Sequence, residues 1–298
     1  MTQQQPQQQT QQRPLHFQIG TPGSAARYVK ILVYGPYGAG KTWFVASAAD
    51  VPEMQDVLFI EAEAGKETLI NFWPDLPRIE ISTYSQMARI YEFLKRHCMY
   101  RDLMSPQGPI SQEEADGLLL ELEQRVTPGI SQPHHFRTVI IDSLSEVQKY
   151  CMYHILGVQI GKQPLDMEPP TAEFKQWGQD SEMMRLLVRS LRDLPMHVLF
   201  ACQGQELEGV GKRTVYRPSL PGKLVIEVPG FLDMVGFLFP SDPDDQGTVH
   251  RRLHLQQNAL FAAKNRFSAI KAPYIDDPTV GKLATAAGLI KANGRGER

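Results

Sequence analysis

The chain has 298 residues, of which 42% are hydrophobic and 21% are charged, and its formal net charge is −2. This composition is that of a soluble globular protein, and the lack of a long apolar stretch excludes a membrane-spanning chain. The small net charge excludes binding to nucleic acid through bulk positive charge alone, but it is compatible with a local basic groove.

The cysteines and the first residues indicate the compartment. Cys98, Cys151 and Cys202 form no C-x-x-C pair, which favours a reducing cytoplasm over a disulfide framework or a zinc site. No basic segment leads into an apolar one at the N-terminus, so we expect no signal peptide. Residues 1–24 begin with a glutamine-rich run that buries too little apolar surface to fold, which predicts a disordered leader.

A phosphate-binding motif follows the first predicted strand, residues 31–34. Its glycines let successive backbone N–H groups wrap two phosphates, Lys41 adds a positive charge, and Thr42 offers a hydroxyl to Mg²⁺. A predicted helix at residues 41–49 directs its positive end towards the same anion. The motif reads G-x-x-x-x-G-K-T and consists of Gly35, Pro36, Tyr37, Gly38, Ala39, Gly40, Lys41 and Thr42.

The second predicted strand, residues 57–60, is followed by two acids, Glu61 and Glu63. Hydrolysis of a nucleotide needs a group that positions or deprotonates water, and a carboxylate at this strand end can do so. Strand alternation places both side chains on the same face, so periodicity does not choose between them. A solvated strand end is the alternative.

A later strand, residues 138–141, ends in Asp142. At the carboxyl end of a parallel strand, beside the phosphate motif, this carboxylate can hold Mg²⁺. It can also cap the helix predicted at residues 144–156, and the two roles can coexist.

Gln203 follows the strand predicted at residues 198–201. Its amide can sense a γ-phosphate by hydrogen bonding and pass the signal to residues 204–222, or it can be an ordinary loop residue. Residues 157–170 and 203–222 are irregular and long, which makes both candidates for partner contact.

Short buried strands alternate with helices up to residue 203, which predicts an α/β fold with a mostly parallel sheet. The strands are predicted at 31–34, 57–60, 78–81, 138–141 and 198–201, and the helices at 41–49, 84–97, 112–125, 144–156 and 171–194. An antiparallel C-terminal extension is predicted at 214–217, 223–228, 234–239, 251–256 and 260–264.

The order of these pieces resembles the core of the bacterial RecA recombinase, and more closely the compact phage ATPases of the Sak single-strand-annealing group. The resemblance implies a RecA-like P-loop NTPase core at residues 25–276, flanked by helices, with a C-terminal tail at residues 277–298. It also implies ATP and Mg²⁺ as ligands. The matching residues beyond the phosphate motif are Glu61-Ala62-Glu63, Asp142-Ser143, Gln203, Lys264-Asn265-Arg266 and Ala272-Pro273-Tyr274.

The resemblance assigns roles to these residues. Glu63 activates water, Gln203 is a switch, and Lys264 and Arg266 reach across a subunit interface to the neighbour's γ-phosphate. The alternative for the basic pair is a salt bridge on an edge strand that guards against aggregation. The catalytic set is then Lys41, Glu63, Gln203, Lys264 and Arg266, with Thr42 and Asp142 at the metal.

The implied function is ATP hydrolysis coupled to single-stranded DNA in phage recombination, by annealing or strand pairing. Self-association into a ring or filament and a single-strand-binding protein as partner follow from the same resemblance, in the host cytoplasm. Residues 157–178 and 204–222 take the places of the family's DNA-binding loops, although core packing is an equal alternative for their aromatic residues. The candidate DNA contacts are Lys162, Lys175, Trp177, Lys212, Arg213, Tyr216, Arg217 and Lys223.

A second function uses the same nucleotide site. A nucleotide-switched assembly or loading ATPase would act through a replication or packaging protein. Its ATP turnover would not depend on DNA, which separates the two functions.

Overall fold

A computed structural model describes residues 28–290, except residues 64, 104–108, 163, 165, 167, 169, 210, 211 and 244. The strands are β1 (Lys30–Gly35), β2 (Val57–Glu61), β3 (Arg78–Glu80), β4 (Thr138–Asp142), β5 (His197–Glu208), β6 (Thr214–Pro218), β7 (Met234–Pro240), β8 (Arg251–His254), β9 (Lys264–Asn265) and β10 (Tyr274–Asp276). The helices are α1 (Lys41–Ala46), α2 (Lys66–Phe72), α3 (Tyr84–Leu103), α4 (Gln112–Gln124), α5 (Leu144–Leu156), α6 (Phe174–Arg192), α7 (Leu224–Phe231) and α8 (Val280–Ala286).

One sheet organises the molecule, with the strand order β10-β8-β7-β1-β5-β4-β2-β3. The strands from β7 to β3 in this order pair in parallel. Antiparallel pairing begins where β8 meets β7 and continues to β10, and β9 also pairs antiparallel with β7. The carboxyl ends of β1, β2, β4 and β5 therefore meet at one edge of the sheet.

Helices cover both faces of the sheet. Successive residues of β1 point to opposite sides, so Leu32 packs in one apolar cluster and Val33 in the other. The first cluster joins the sheet to α3, α5, α6 and α7, and the second joins it to α1, α2 and α8. Because β1, β2 and β4 are buried on both faces, they read as continuous apolar runs. The predicted fold class, a mostly parallel sheet flanked by helices with antiparallel C-terminal strands, is confirmed.

Side-chain caps explain where two helices begin. The Ser111 hydroxyl accepts a hydrogen bond from the Glu114 N–H at the start of α4, and the Glu114 carboxylate accepts one from the Ser111 N–H. The Ser143 hydroxyl caps α5 by accepting from the Glu146 N–H. These bonds satisfy donors that the first helical turn leaves without partners.

The prediction of an irregular stretch at residues 203–222 is wrong for most of its length, whereas the strand predicted at residues 214–217 is present as β6. β5 continues past Gln203 to Glu208 and pairs antiparallel with β6, so the two strands form a hairpin. The polar and charged residues after Gln203 hide the strand from a pattern search, because both faces of the hairpin are partly solvated.

The strand predicted at residues 223–228 is also wrong, because these residues open α7. Leu224, Val228 and Leu232 are fully buried at a spacing of four, which suits one face of a helix. The strand predicted at residues 260–264 is reduced to β9, and only a single bridge pairs Phe261 with Tyr216. The helices α2 and α8 and the strand β10 were not predicted.

No helix in the described part of the chain is long and apolar enough to cross a lipid bilayer. The leader predicted at residues 1–24 lies outside the described residues, as do residues 291–298 of the predicted tail. The described part of that tail forms α8, which buries Val280, Leu283 and Ala284 against the sheet.

Candidate active site

The phosphate motif forms the turn between β1 and α1. Gly35 ends β1 so close to β7 that a Cβ there would lie 2.0 Å from the Leu238 carbonyl oxygen. Gly40 precedes α1 with a φ of 88°, in the left-handed region that favours glycine. The turn therefore requires glycine at both positions, and the N–H groups at the start of α1 open into a cleft of about 430 Å³.

Lys41 is the first residue of α1, and its ammonium is hydrogen-bonded inside the turn. It donates to the carbonyl oxygens of Gly35 (3.0 Å) and Pro36 (2.8 Å) and to Gln203 Oε1 (3.0 Å). Burial lowers the pKa of Lys41, and the nearby Asp142 carboxylate opposes that shift. The cation is thus fixed at the mouth of the phosphate turn.

Gln203 joins that cation to an acid. Its Nε2 donates to both carboxylate oxygens of Glu63, at 2.9 and 3.2 Å, while its Oε1 accepts from Lys41. A hydrogen bond from its own N–H to Ser145 Oγ (3.0 Å) holds its backbone. The result is a chain of three side chains, Lys41–Gln203–Glu63, in which Gln203 of β5 lies level with the end of β1.

Only one of the two acids after β2 points into the cleft. Glu61 is buried, forms an ion pair with Arg78 and accepts a hydrogen bond from the Gly65 N–H at 3.1 Å. Glu63 lies beyond the end of β2 and lines the cleft. Strand alternation cannot separate the two residues, because the strand stops between them.

Asp142 and Thr42 form the other half of the cleft. The Thr42 hydroxyl donates to Asp142 Oδ2 at 2.6 Å, across one hundred residues of sequence. Burial raises the pKa of Asp142 to about 6, the hydrogen bond from Thr42 opposes the rise, and the neighbouring Glu63 carboxylate adds to it. A hydroxyl and a carboxylate side by side are oxygen ligands of the kind that Mg²⁺ prefers, so these residues fit the predicted metal role.

Lys264 and Arg266 do not join this site within one chain. β9 pairs with the first residues of β7, at the opposite edge of the sheet, about four residues or roughly 13 Å from the phosphate turn. Lys264 Nζ donates to the carbonyl oxygen of Gly230 at 2.7 Å, and Arg266 forms an ion pair with Asp233 at 3.2 Å.

The predicted DNA contacts fall into two groups. Tyr216 is partly buried and packs against Phe237 and Phe261, with ring centroids 5.0 and 5.6 Å away. Trp177, on the first turn of α6, is 43% exposed. The exposed basic residues are Lys162, Lys175, Lys212, Arg213 and Lys223, and Arg217 is partly exposed.

Several cleft residues were not predicted. Trp43 follows the motif, Thr68 and Phe72 lie on the unpredicted helix α2, and Arg251 is the first residue of β8. No motif marks Arg251, because only the antiparallel return from β7 to β8 carries it to the phosphate turn.

The chain is similar to several solved structures. Among solved structures, the chain is similar to a KaiC-like protein from Pyrococcus horikoshii OT3, at 10% identity and a TM-score of 0.36 over 78% of this chain and 79% of that one. It is similar to the flagellar accessory protein FlaH from Methanocaldococcus jannaschii, at 10% identity and a TM-score of 0.37 over 85% and 87%. It is also similar to the ATPase domain of G40P, at 13% identity and a TM-score of 0.33 over 83% and 79%.

No curated protein matches the chain significantly in sequence. A family model described as an AAA domain, AAA_24, matches residues 27–267, which is most of the chain. The family and the phosphate motif together identify a P-loop NTPase. The chain belongs to the AAA_24 family of AAA domains.

Proposed function

We propose that the protein binds and hydrolyses ATP with Mg²⁺. The observation that carries this proposal is the hydrogen-bonded chain Lys41–Gln203–Glu63, which lies beside the Thr42–Asp142 pair in one cleft. A cation for the phosphates, oxygen ligands for the metal and a carboxylate for water are the parts that phosphoryl transfer needs.

Each residue of the site then has its own role in the reaction. The N–H groups of the motif and Lys41 hold the phosphates, and Thr42 and Asp142 hold Mg²⁺, which neutralises charge on the phosphate oxygens. Glu63 accepts a proton from water as the water oxygen bonds to the γ-phosphorus and the bond to the β–γ bridging oxygen breaks. Gln203 positions Glu63 through its amide.

Gln203 also lies where the nucleotide site meets the β5–β6 hairpin. Its Oε1 accepts a hydrogen bond from the Lys41 ammonium. When that ammonium binds a phosphate instead, Gln203 loses this hydrogen bond. We infer that Gln203 couples the state of the nucleotide to the hairpin, whose tip carries Lys212 and Arg213.

We further propose single-stranded DNA as the ligand of this hairpin and of residues 157–178, for annealing or strand pairing in phage recombination. Exposed basic residues at the hairpin tip and the exposed Trp177 supply charge for phosphates and a face for base stacking. Glu206 and Glu208 dilute the positive charge, so we expect modest affinity. The order of the motifs, which resembles that of the Sak group, supports this finer assignment.

Lys264 and Arg266 support an assembly of several chains. Within one chain they lie away from the cleft, so they can act on a nucleotide only in a neighbouring subunit of a ring or filament.

The test measures ATP turnover by the purified full chain with and without single-stranded DNA. We expect Lys41→Ala to abolish turnover and single-stranded DNA to raise turnover of the wild type, with double-stranded DNA as the control. Trp177→Ala should weaken binding to single-stranded DNA by about tenfold, the size of one base stack. Turnover that DNA never changes, together with no DNA binding, would overturn the DNA assignment and favour a loading ATPase.

A further inference from the structure

Arg251 approaches the phosphate turn from the side opposite the acids. In the sheet, β5, β4 and β2 lie on one side of β1; β5 and β4 carry Gln203 and Asp142, and Glu63 follows the end of β2. β7 and β8 lie on the other side, and Arg251 is the first residue of β8. The phosphate turn is thus flanked by carboxylates on one side and by a single cation on the other.

The Arg251 side chain lies close to Gly40 in the turn. A Cβ added to Gly40 would come within 2.8 Å of its Nε and 3.3 Å of its Cζ. Glycine at position 40 therefore serves two purposes, because it supplies the left-handed backbone angle and leaves room for this side chain.

Among the residues that the structure describes, none forms a hydrogen bond or an ion pair with the Arg251 guanidinium, so its donors can bind a ligand. The next residue, Arg252, points to the other side of the strand, where its Nε donates to Asp276 at 2.7 Å and its guanidinium lies 4.7 Å from the Tyr274 ring centroid. Of these two adjacent arginines, only Arg251 lines the cleft.

Backbone contacts fix the position of Arg251. Its N–H donates to Asp277 Oδ1 at 3.1 Å, and the Asp277 N–H donates to its carbonyl oxygen at 2.7 Å. Asp277 itself has a φ of 42°, an unusual angle for a residue other than glycine. Asp adopts such angles more readily than most residues because its short side chain can hydrogen-bond nearby, and here that side chain accepts from the Arg251 N–H.

Charge balance supports an anionic ligand for Arg251. The cleft is lined by two carboxylates, Glu63 and Asp142, and by two cations, Lys41 and Arg251. Without Arg251 a nucleotide would enter a cleft whose fixed charge is negative. With it, the fixed charges cancel before the metal arrives.

We propose that Arg251 is a phosphate-binding residue that its own chain contributes to the nucleotide site, and that it contacts the α- or β-phosphate. This inference rests on the proposed nucleotide binding. Lys41, Gln203 and Glu63 mark the end of the cleft where the γ-phosphate reacts, whereas Arg251 lies against Gly40 and forms no hydrogen bond or ion pair with these three described side chains. Arg251 therefore sets the affinity for ADP and ATP alike and leaves the chemical step unchanged.

The test compares Arg251→Ala, Arg251→Gln and Arg251→Lys with Arg252→Ala, a matched control that removes the same charge one residue away. Affinities for ADP and for a non-hydrolysable ATP analogue are measured by competition with a fluorescent nucleotide, and thermal unfolding checks each variant. We expect Arg251→Ala and Arg251→Gln to weaken both affinities by about tenfold, as the loss of one charge-assisted hydrogen bond does. KM for ATP should rise by the same factor, and kcat should stay within about twofold.

Lysine should restore part of the affinity, because it keeps the charge but not the planar fork of donors. Unchanged affinities in both Arg251→Ala and Arg251→Gln would overturn the proposal. So would a loss confined to the ATP analogue, or an equal loss in Arg252→Ala. Lys41→Ala distinguishes a failure of the proposed function from a failure of the role of Arg251. If Lys41→Ala also leaves nucleotide binding unchanged, the proposed function fails. If Lys41→Ala weakens binding, only the role of Arg251 fails.

Discussion

The two edges of the sheet hold their basic residues in different ways. At the carboxyl edge Lys41 is buried and bonded to two carbonyl oxygens and to Gln203. At the opposite edge Arg266 is exposed and forms one ion pair with Asp233. The difference shows that sequence distance is a poor guide to the site. Parallel strands bring together residues that lie 140 positions apart, as Glu63 and Gln203 do, while the basic pair is left on the far side.

The largest expected effect is at the carboxyl edge. Glu63→Gln keeps the size of the side chain but removes the base, so turnover should fall by about a hundredfold with ATP affinity unchanged. Steady-state turnover and a nucleotide titration measure the two quantities.

Glu61→Gln is the matched control for that variant. It weakens the ion pair between the buried Glu61 and the partly exposed Arg78, so we expect a lower melting temperature but turnover within a few-fold of the wild type at a permissive temperature. If Glu61→Gln instead abolishes turnover of the folded protein while Glu63→Gln does not, the two acids have exchanged roles.

The second-largest effect is expected at Asp142, and it concerns the free energy of unfolding. The folded state raises its pKa from 3.8 to about 6, so between about pH 4 and pH 6 the folded protein binds more protons than the unfolded chain. The contribution of Asp142 to the free energy of unfolding therefore falls as pH rises through that window. The fall is about 3 kcal/mol, because the pKa of Asp142 is shifted by about two units. Asp142→Asn resembles the protonated form and should be more stable than the wild type at pH 8 by up to that amount.

Urea unfolding without nucleotide or divalent metal measures this difference at pH 4 and pH 8. The variant and the wild type should have nearly equal stability at the lower pH. A stabilisation that is the same at both pH values would contradict a buried, titrating carboxylate. In the same variant, ATP turnover should fall, because the amide is a poor ligand for Mg²⁺.

The opposite edge gives the smallest effects. Arg266→Ala removes an exposed ion pair, which should change stability by less than about 1 kcal/mol. If the residue acts on a neighbour's nucleotide, turnover of the assembled protein should fall by about tenfold at unchanged nucleotide affinity. Mixing wild type with Lys41→Ala should then give turnover that is not proportional to the wild-type fraction.

Lys271→Ala is the control for Arg266→Ala, since it removes another exposed positive charge nearby. Turnover that Arg266→Ala leaves unchanged would identify the pair as edge-strand charges and remove the main support for an intersubunit site.

Much of the fold and of the cleft could be predicted because one physical pattern governs both. Strands buried on two faces appear as apolar runs, and their carboxyl ends must share an edge, so Lys41, Asp142, Glu63 and Gln203 could be grouped in advance. The choice between Glu61 and Glu63 required coordinates, because it depends on where β2 stops and on the pairing of Glu61 with Arg78.

Tertiary contacts decided the features that the sequence did not reveal. Leu224 and Val228 are compatible with a strand or a helix until the covering face of the sheet is known. The continuation of β5 past Gln203 has no apolar alternation to mark it, although the second strand of the hairpin, β6, was predicted. Arg251 reaches the cleft only because β8 returns antiparallel beside β7, a pairing that no local pattern encodes.

The last helix of the described chain is tied to the helix that carries the phosphate motif. The Val280 N–H donates to Ser47 Oγ at 2.9 Å, that hydroxyl donates to the Phe44 carbonyl oxygen at 2.6 Å, and Leu283 is buried in the same cluster as Phe44. We therefore expect the two helices to open together, so that a ligand that stabilises α1 also protects α8 by linkage. Slower amide exchange in α8 should therefore report that a nucleotide is bound at the other end of α1.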